Sequence, residues 1–200
     1  GRVRMAQQEF DSEYLVEASN AHERMWTLID DLLSMARSGG AVERTETVSP
    51  QDVVDPCRSV VETDDATITV AEDRLVAAPP SRFEQLFENL IRNSVEHNST
   101  GSRTWSDDPV EHAGDGVTVT VGGFEDGFYV EDDGRGIPGD ERDRGFESGY
   151  TSAEDGTGFG LAIVQQVASA HGWSVRVTES ADGGARFEFI GVESADSRGL

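Results

Sequence analysis

Apolar side chains recur with a helical period over residues 8–37 of the chain. One row consists of Phe10, Tyr14, Ala18, Ala21, Met25, Leu28, Leu32 and Met35, and a second row of Leu15, His22, Ile29 and Ala36 runs beside it. Spacings of three and four residues form a heptad seam, and two neighbouring rows make a face wide enough for a four-helix bundle. A single helix cannot bury such a face. The pattern therefore predicts a long dimerisation helix, with a second copy of the chain as its simplest partner.

Beyond residue 50 the pattern changes to short helices and short β-prone runs. The periodicity predicts helices at 50–61, 81–98 and 161–170, and strands at 67–70, 75–78, 117–121, 128–131, 173–178 and 185–190. Helices that cover one face of a mixed sheet containing antiparallel hairpins form an α+β layer arrangement. The predicted organisation is a helical segment within 1–40, one α+β domain over 50–192 and a loose tail at 193–200.

Local signals indicate where these elements begin and where regular structure is interrupted. Ser49 is the expected N-cap of the first short helix, and Ser81 with Glu84 forms the expected capping box of the second. Residues 39–50 and 99–116 lack periodicity, which predicts a polar connector and an exposed loop.

One face of the helix predicted at 81–98 is polar. Gln85, Asn89, Asn93 and Glu96 follow one another at spacings of four, four and three residues. The amide oxygen of Asn93 suits Mg²⁺, because it is a hard ligand that adds no charge against the phosphates of a nucleotide. Asn89, one turn earlier, is placed to support those phosphates or the waters of the metal. The alternative is an ordinary solvated helix face.

Two glycine-rich segments follow. Asp132 ends a predicted strand and is followed by Gly134 and Gly136, so its carboxylate is placed to accept a hydrogen bond from the amino group of adenine. The segment Gly156-Thr-Gly-Phe-Gly160 opens an apolar helix, whose N-terminal N–H groups can hold phosphate. Each segment alone is also compatible with a plain turn or loop. Together with the amide pair, their order and spacing favour a nucleotide pocket.

These segments resemble the catalytic and ATP-binding region of sensor histidine kinases, within the wider group that includes gyrase B and Hsp90. Residues 88–95 match the N box of that family and 132–138 its first glycine box, while 144–150 resemble its F box and 156–161 match its second glycine box. The resemblance covers about residues 50–190. It implies a left-handed α/β sandwich with a mobile lid over ATP at 139–157. It also implies that the helix at 8–37 is the second helix of a dimerisation and phosphoacceptor hairpin.

The resemblance further implies the residues of the site, with Asn93 binding Mg²⁺ and Asp132 binding adenine. The expected ATP-binding set is Asn89, Asn93, Asp132, Gly134, Gly136, Ile137, Phe146, Tyr150, Gly156, Thr157, Gly158, Gly160 and Leu161. Kinases of the family often carry Lys or Arg three positions after the metal asparagine, where this chain has Glu96. The candidates for neutralising the phosphates are then His97, Arg142 and Arg144.

The activity implied by the resemblance is protein histidine kinase activity rather than ATP hydrolysis. In the ATP-hydrolysing relatives a glutamate that activates water stands at the position of Asn89, and an amide cannot act as a general base. The family's phosphoacceptor motif is missing from the sequence, and His22 lies on the wrong helix. We therefore expect a truncated kinase that phosphorylates a histidine phosphoacceptor domain in trans and serves a response regulator receiver domain.

Two other functions remain open at this point. One is a non-enzymatic ATP-binding dimerisation module that regulates an intact kinase. The other, which Asn89 disfavours, is a gyrase-like or chaperone-like ATPase.

The acidic composition excludes some classes of partner. The formal net charge is −23, and all 16 basic residues are arginine. Such a surface repels nucleic acid and anionic lipid, so we expect no nucleic acid partner and no membrane contact from this segment. Cys57 is the only cysteine and no apolar run has the length of a membrane span, so the segment is expected to be cytoplasmic, with any membrane attachment upstream. The acidity and the lack of lysine also favour a haloarchaeal source, because molar salt screens the self-repulsion.

Overall fold

The computed structural model describes residues 44–60, 66–99, 116–151 and 157–193, together with several positions between 18 and 33. Those positions are Ala18, Ala21, His22, Met25, Trp26, Leu28, Ile29, Leu32 and Leu33, all of which are helical and exposed. They agree with the predicted helix, whose bounds at 8 and 37 lie outside the described residues. The predicted loop at 99–116 and the predicted tail at 193–200 lie outside them as well, except for Ser99, which is helical, Gly116 and Glu193.

Seven strands and three helices make up the described part of the chain after residue 44. The strands are β1 (Glu46–Val48), β2 (Ala66–Val70), β3 (Val76–Ala78), β4 (Val117–Phe124), β5 (Gly127–Asp132), β6 (Ser174–Glu179) and β7 (Ala185–Ile190). The helices are α1 (Pro50–Val60), α2 (Pro80–Ser99) and α3 (Gly160–Ala170), and a 3₁₀ turn covers Arg144–Phe146. In the described ranges, no helix is both long and apolar enough to cross a membrane.

Five strands form one mixed sheet in the order β2-β4-β5-β7-β6. The β2–β4 pair is parallel, while β4–β5, β5–β7 and β6–β7 are antiparallel. Along β4, β5 and β7 alternate residues are buried, so one face of the sheet packs under the helices and the other carries threonines and charged side chains. The predicted mixed sheet with helices on one face is confirmed. β1 and β3 pair separately as a small antiparallel ribbon.

Two local predictions were wrong. Residues 46–48 form strand β1 rather than part of a connector. Helix α2 begins at Pro80, and the N–H groups of Arg82 and Phe83 both bond to the carbonyl of Pro79, so Ser81 lies inside the first turn rather than at the N-cap position. Proline at the first helical position already has a helical φ and no N–H to satisfy, which explains the earlier start.

The other N-cap prediction is confirmed. Oγ of Ser49 accepts hydrogen bonds from the N–H groups of Gln51, at 3.1 Å, and Asp52, at 3.4 Å. The same hydroxyl donates to Oδ1 of Asp73 at 2.6 Å, which ties the start of α1 to the segment between β2 and β3.

An aromatic cluster joins α2 to the sheet. Phe83 and Phe87 on α2 meet Phe128 on β5, with ring centroids 5.3 Å and 5.8 Å apart, and Phe128 stacks on Phe189 of β7 at 4.6 Å. These four rings are fully buried. Because aromatic rings contribute large buried areas and directional contacts, the cluster fixes both the height and the rotation of α2 over the sheet.

We predict that Phe128→Ala lowers the free energy of unfolding by about 3–5 kcal/mol, because it removes the central ring of this cluster and leaves a cavity. Denaturant unfolding followed by circular dichroism measures the change. Thr118→Ala, on the opposite face of the sheet, is the control and should change stability by about 0.5 kcal/mol or less. Equal losses for the two variants would contradict the assignment of the buried face.

Candidate functional site

The amide pair of α2 lies at the edge of the buried layer. Asn89 is only 4% exposed, so it does not belong to a solvated helix face. Its Nδ2 donates to the carbonyl of Gln85 at 2.8 Å, and its Oδ1 accepts from Nη2 of Arg92 at 2.8 Å. Both ends of the Asn89 amide are therefore held, one by the helix backbone and one by a guanidinium.

The second glycine segment packs directly on this pair. A Cβ placed on Gly160, the first residue of α3, would lie 3.0 Å from Oδ1 of Asn93 and 3.4 Å from Oδ1 of Asn89. Glycine at this position lets the start of α3 approach both amides closely. Three residues that are up to 71 positions apart in the chain thus lie together.

The first turn of α3 lies beside the amide pair of α2. The N-cap residue Phe159 makes no side-chain cap hydrogen bond. Oγ1 of Thr157 accepts a hydrogen bond from the N–H of Phe159 at 3.4 Å. A helix start without a side-chain cap presents N–H groups and the positive end of the helix dipole to an anion.

Asp132 is buried at the end of β5, with 8% of its surface exposed. Oδ1 accepts hydrogen bonds from the N–H groups of Gly134, at 3.0 Å, and Ala185, at 3.1 Å. Oδ2 accepts from the hydroxyl of Ser94 on α2 at 2.9 Å. These donors orient the carboxylate and offset its desolvation, and a carboxylate still has acceptor capacity for one further donor.

The turn between β6 and β7 closes the site behind Asp132. A Cβ on Gly184 would lie 2.1 Å from the carbonyl oxygen of Asp132, so a side chain there would displace the backbone. Oγ of Ser180 donates to the same carbonyl at 2.7 Å. Gly136 approaches the carbonyl of Gly183 in the same turn, which places the first glycine segment against the hairpin.

The segment between the glycine boxes is anchored at several points. The N–H of Gly149 donates to the carbonyl of Gly158 at 2.9 Å, and Gly145 contacts Leu161. Ile137, Phe146 and Leu161 are partly buried and pack against the hydrophobic core. Gly156, predicted to be part of the site, lies outside the described residues.

The structure gives the three predicted phosphate-neutralising residues other contacts. Nε of Arg142 donates to the carbonyl of Ile137 at 2.9 Å. The guanidinium of Arg144 lies over the ring of Tyr150, 4.6 Å from its centroid. Burial, together with the charge of Arg135, lowers the pKa of His97 below its usual value, so its ring is mainly neutral at pH 7.

Two residues that hold the site together were not predicted. Ser94 lies on the core-facing side of α2. A buried hydroxyl needs a hydrogen-bond partner, so a serine at a core-facing position is the sequence signal that could have identified this residue. Arg92 follows Asn89 by three residues, a spacing at which helical side chains are neighbours, so that spacing is the signal that could have indicated its bond to Asn89.

Any metal at this site would depend on amide and phosphate oxygens. No group of three or more His, Cys, Asp or Glu side chains is arranged to hold a metal ion within the described part of the chain. The side-chain amide of Asn93 has no hydrogen bond to any described residue, and it lies beside the start of α3. A neutral oxygen ligand next to an anion site fits Mg²⁺, which keeps several waters and takes its remaining ligands from phosphates.

Comparisons with known proteins agree with this geometry. Residues 78–193 match the family described as histidine kinase-, DNA gyrase B-, and HSP90-like ATPase. The chain is 28% identical over 156 residues to the adaptive-response sensory kinase SasA of Nostoc sp., covering 74% of this chain and 30% of that protein. It is 31% identical over 170 residues to the histidine-protein kinase/phosphatase MprB of Mycolicibacterium smegmatis, covering 81% of this chain and 32% of that protein.

Solved structures show the same fold. Full-length ShkA in complex with AMPPNP superposes with a TM-score of 0.66 at 25% identity, covering 91% of this chain and 39% of that chain. The mycobacterial sensor histidine kinase MprB superposes with a TM-score of 0.56 at 24% identity, covering 75% of this chain and 99% of that chain. The chain spans between about a fifth and about a third of the length of the curated relatives it matches.

Proposed function

The chain belongs to the family of histidine kinase-, DNA gyrase B-, and HSP90-like ATPases, and from that premise we propose that it is the ATP-binding catalytic region of a two-component sensor histidine kinase. The observation that carries the proposal is that two consecutive residues of α2 contact the two ends of the site. Asn93 lies against the start of α3, while Ser94 bonds to the buried carboxylate of Asp132. One helix thus connects the proposed phosphate site to the proposed adenine site.

In the proposed complex, Asp132 accepts a hydrogen bond from the amino group of adenine, and the glycines at 134 and 136 let the base lie against the backbone. The first turn of α3 binds phosphate oxygens through its N–H groups. Asn93 provides an oxygen ligand for Mg²⁺, which would neutralise part of the phosphate charge during transfer. Ile137, Phe146, Tyr150 and Leu161 line or cover the nucleotide.

Phosphoryl transfer is favoured over hydrolysis. Both polar ends of the Asn89 amide already make hydrogen bonds, and an amide cannot take a proton from water. Catalysis of phosphoryl transfer rests mainly on positioning and charge neutralisation, which the N-terminus of α3 and the amide pair can supply. The proposed acceptor is a histidine on a separate phosphoacceptor domain or on the full-length protein, from which the phosphoryl group passes to a response regulator receiver domain.

The helix before the domain supports a proposal about assembly. Met25, Trp26, Leu32 and Leu33 are each at least 45% exposed. Since exposed apolar side chains at heptad spacing are typical of a packing surface, we propose that this helix pairs with a second copy of the chain as part of a dimerisation hairpin. Domain limits of 1–40, 50–192 and 193–200 belong to the same proposal.

We predict that Asp132→Asn weakens ATP binding by about tenfold to a hundredfold. The NH₂ group of the asparagine would then face hydrogen-bond donors, whereas the carboxylate accepts hydrogen bonds from them. Isothermal titration calorimetry in high salt measures the dissociation constant. Asp133→Asn is the control, since Asp133 is exposed and its carboxylate accepts a hydrogen bond from the N–H of Thr118 on β4 at 2.7 Å. Unchanged affinity in Asp132→Asn would contradict the adenine assignment.

We predict that the chain transfers the labelled γ-phosphoryl group of ATP to a separately produced histidine phosphoacceptor domain in the presence of Mg²⁺. Transfer should fall to background in Asn93→Ala, which removes the proposed metal ligand, and when Mg²⁺ is omitted, which removes the metal itself. Acid-labile label on the acceptor domain is the readout. Tight Mg-ATP binding without any transfer would instead support a non-enzymatic module that regulates an intact kinase.

We predict that the free energy of unfolding rises between low and molar KCl, because salt screens the repulsion within a chain of net charge −23. This is the behaviour expected of a protein from a haloarchaeal cytoplasm. Urea unfolding at a series of KCl concentrations measures it. A stability that stays flat over this range would rule out the proposed source.

A further inference from the structure

Arg92 lies on α2 immediately before the proposed metal ligand Asn93. Its Nη2 donates to Oδ1 of the buried Asn89 at 2.8 Å, and that oxygen faces the first residue of α3. On the basis of the proposed function, we propose that Arg92 binds the terminal phosphate of ATP and replaces the cation that Glu96 does not provide. The inference assigns a substrate-binding role to a residue outside the amide pair and the glycine segments.

The need for such a cation follows from the charges around the site. Mg-ATP remains negatively charged, while the exposed Glu96 and the buried Asp132 add carboxylates to α2 and β5. Bringing a polyanion to this site without a compensating cation is unfavourable, because repulsion between like charges is strong where water is excluded. A positive side chain at the phosphate end of the pocket would offset it.

Three other arginines near the site make contacts away from the amide pair. Arg135 donates from both Nε and Nη2 to the carbonyl of His97, at 3.0 and 2.6 Å. Nε of Arg142 donates to the carbonyl of Ile137, and its Nη2 lies 3.8 Å from Glu179. Arg144 lies over the ring of Tyr150. Among these arginines, Arg92 is the one bonded to a member of the amide pair.

The hydrogen bond from Arg92 to Asn89 leaves the guanidinium able to bind a ligand as well. The Asn89 amide is fixed by its own bond to the carbonyl of Gln85, so it offers Arg92 a rigid acceptor. A guanidinium has five N–H donors arranged in a planar fork, and it can bond to an amide oxygen and to phosphate oxygens at the same time. Asn89 therefore acts as the anchor that keeps the guanidinium beside the start of α3.

The test compares ATP with ADP, which lacks the terminal phosphate. We expect Arg92→Gln to weaken Mg-ATP binding by about tenfold or more, the loss typical of a charge-assisted hydrogen bond. Binding of ADP should change by no more than about threefold, which is within the range of neighbouring electrostatic effects. Arg92→Lys should restore part of the ATP preference. Competition against a fluorescent nucleotide, at one fixed KCl concentration, gives both dissociation constants.

Arg176→Gln is the matched control, because Arg176 bonds to Glu188 on β7, on the sheet face away from the helices, and should leave both affinities unchanged. Equal losses of ATP and ADP affinity in Arg92→Gln, at an unchanged melting temperature, would show a merely structural role and overturn the inference. An unaltered ATP to ADP ratio would overturn it as well. If the unmodified chain binds neither nucleotide, the proposed function itself fails, which is a distinct result.

Discussion

The buried carboxylate of Asp132 is the constraint on which the site depends. Placing an ionised group where 92% of its surface is covered, as its 8% exposure implies, is costly unless donors surround it. Here the donors come from three directions: the N–H of Gly134, the N–H of Ala185 and the hydroxyl of Ser94. Because these belong to the loop after β5, to β7 and to α2, the carboxylate can be satisfied only when all three elements are in place. The fold of the site and the solvation of this one group are therefore coupled.

Helix α2 transmits that constraint to the other end of the pocket. Its aromatic face is fixed on the sheet by Phe83 and Phe87, and successive residues of a helix point about 100° apart. Ser94 is consequently directed to Asp132 while Asn93 is directed to the start of α3. The distance between the two ends of the pocket is set by a single rigid element, whose position depends on core packing rather than on the loops. Precise positioning of this kind is what phosphoryl transfer requires.

Much of this arrangement could be predicted from the sequence, for physical reasons that differ by residue. The polar row on α2 stands out because it interrupts a helical apolar pattern, and the glycine segments stand out because close backbone approach excludes other residues. β1 could not be predicted, since three residues carry too little periodicity and their pairing with β3 is non-local. The contacts of Arg142 and Arg144 depend on loop conformation, and the low pKa of His97 depends on burial, neither of which a pattern along the chain encodes.

The chemistry of Asn89 shows why the same fold can serve transfer rather than hydrolysis. At 4% exposure, an ionised carboxylate at this position would need strong compensation, whereas a neutral amide is satisfied by one backbone carbonyl and one guanidinium. A carboxylate held against Arg92 would also have a lowered pKa, which makes it a weaker base toward water. The amide instead keeps water unactivated and leaves the guanidinium beside the phosphate end of the pocket. The hydrogen bond between Asn89 and Arg92 therefore has two consequences: the site has no general base at position 89, and the guanidinium of Arg92 stays near the proposed phosphate site.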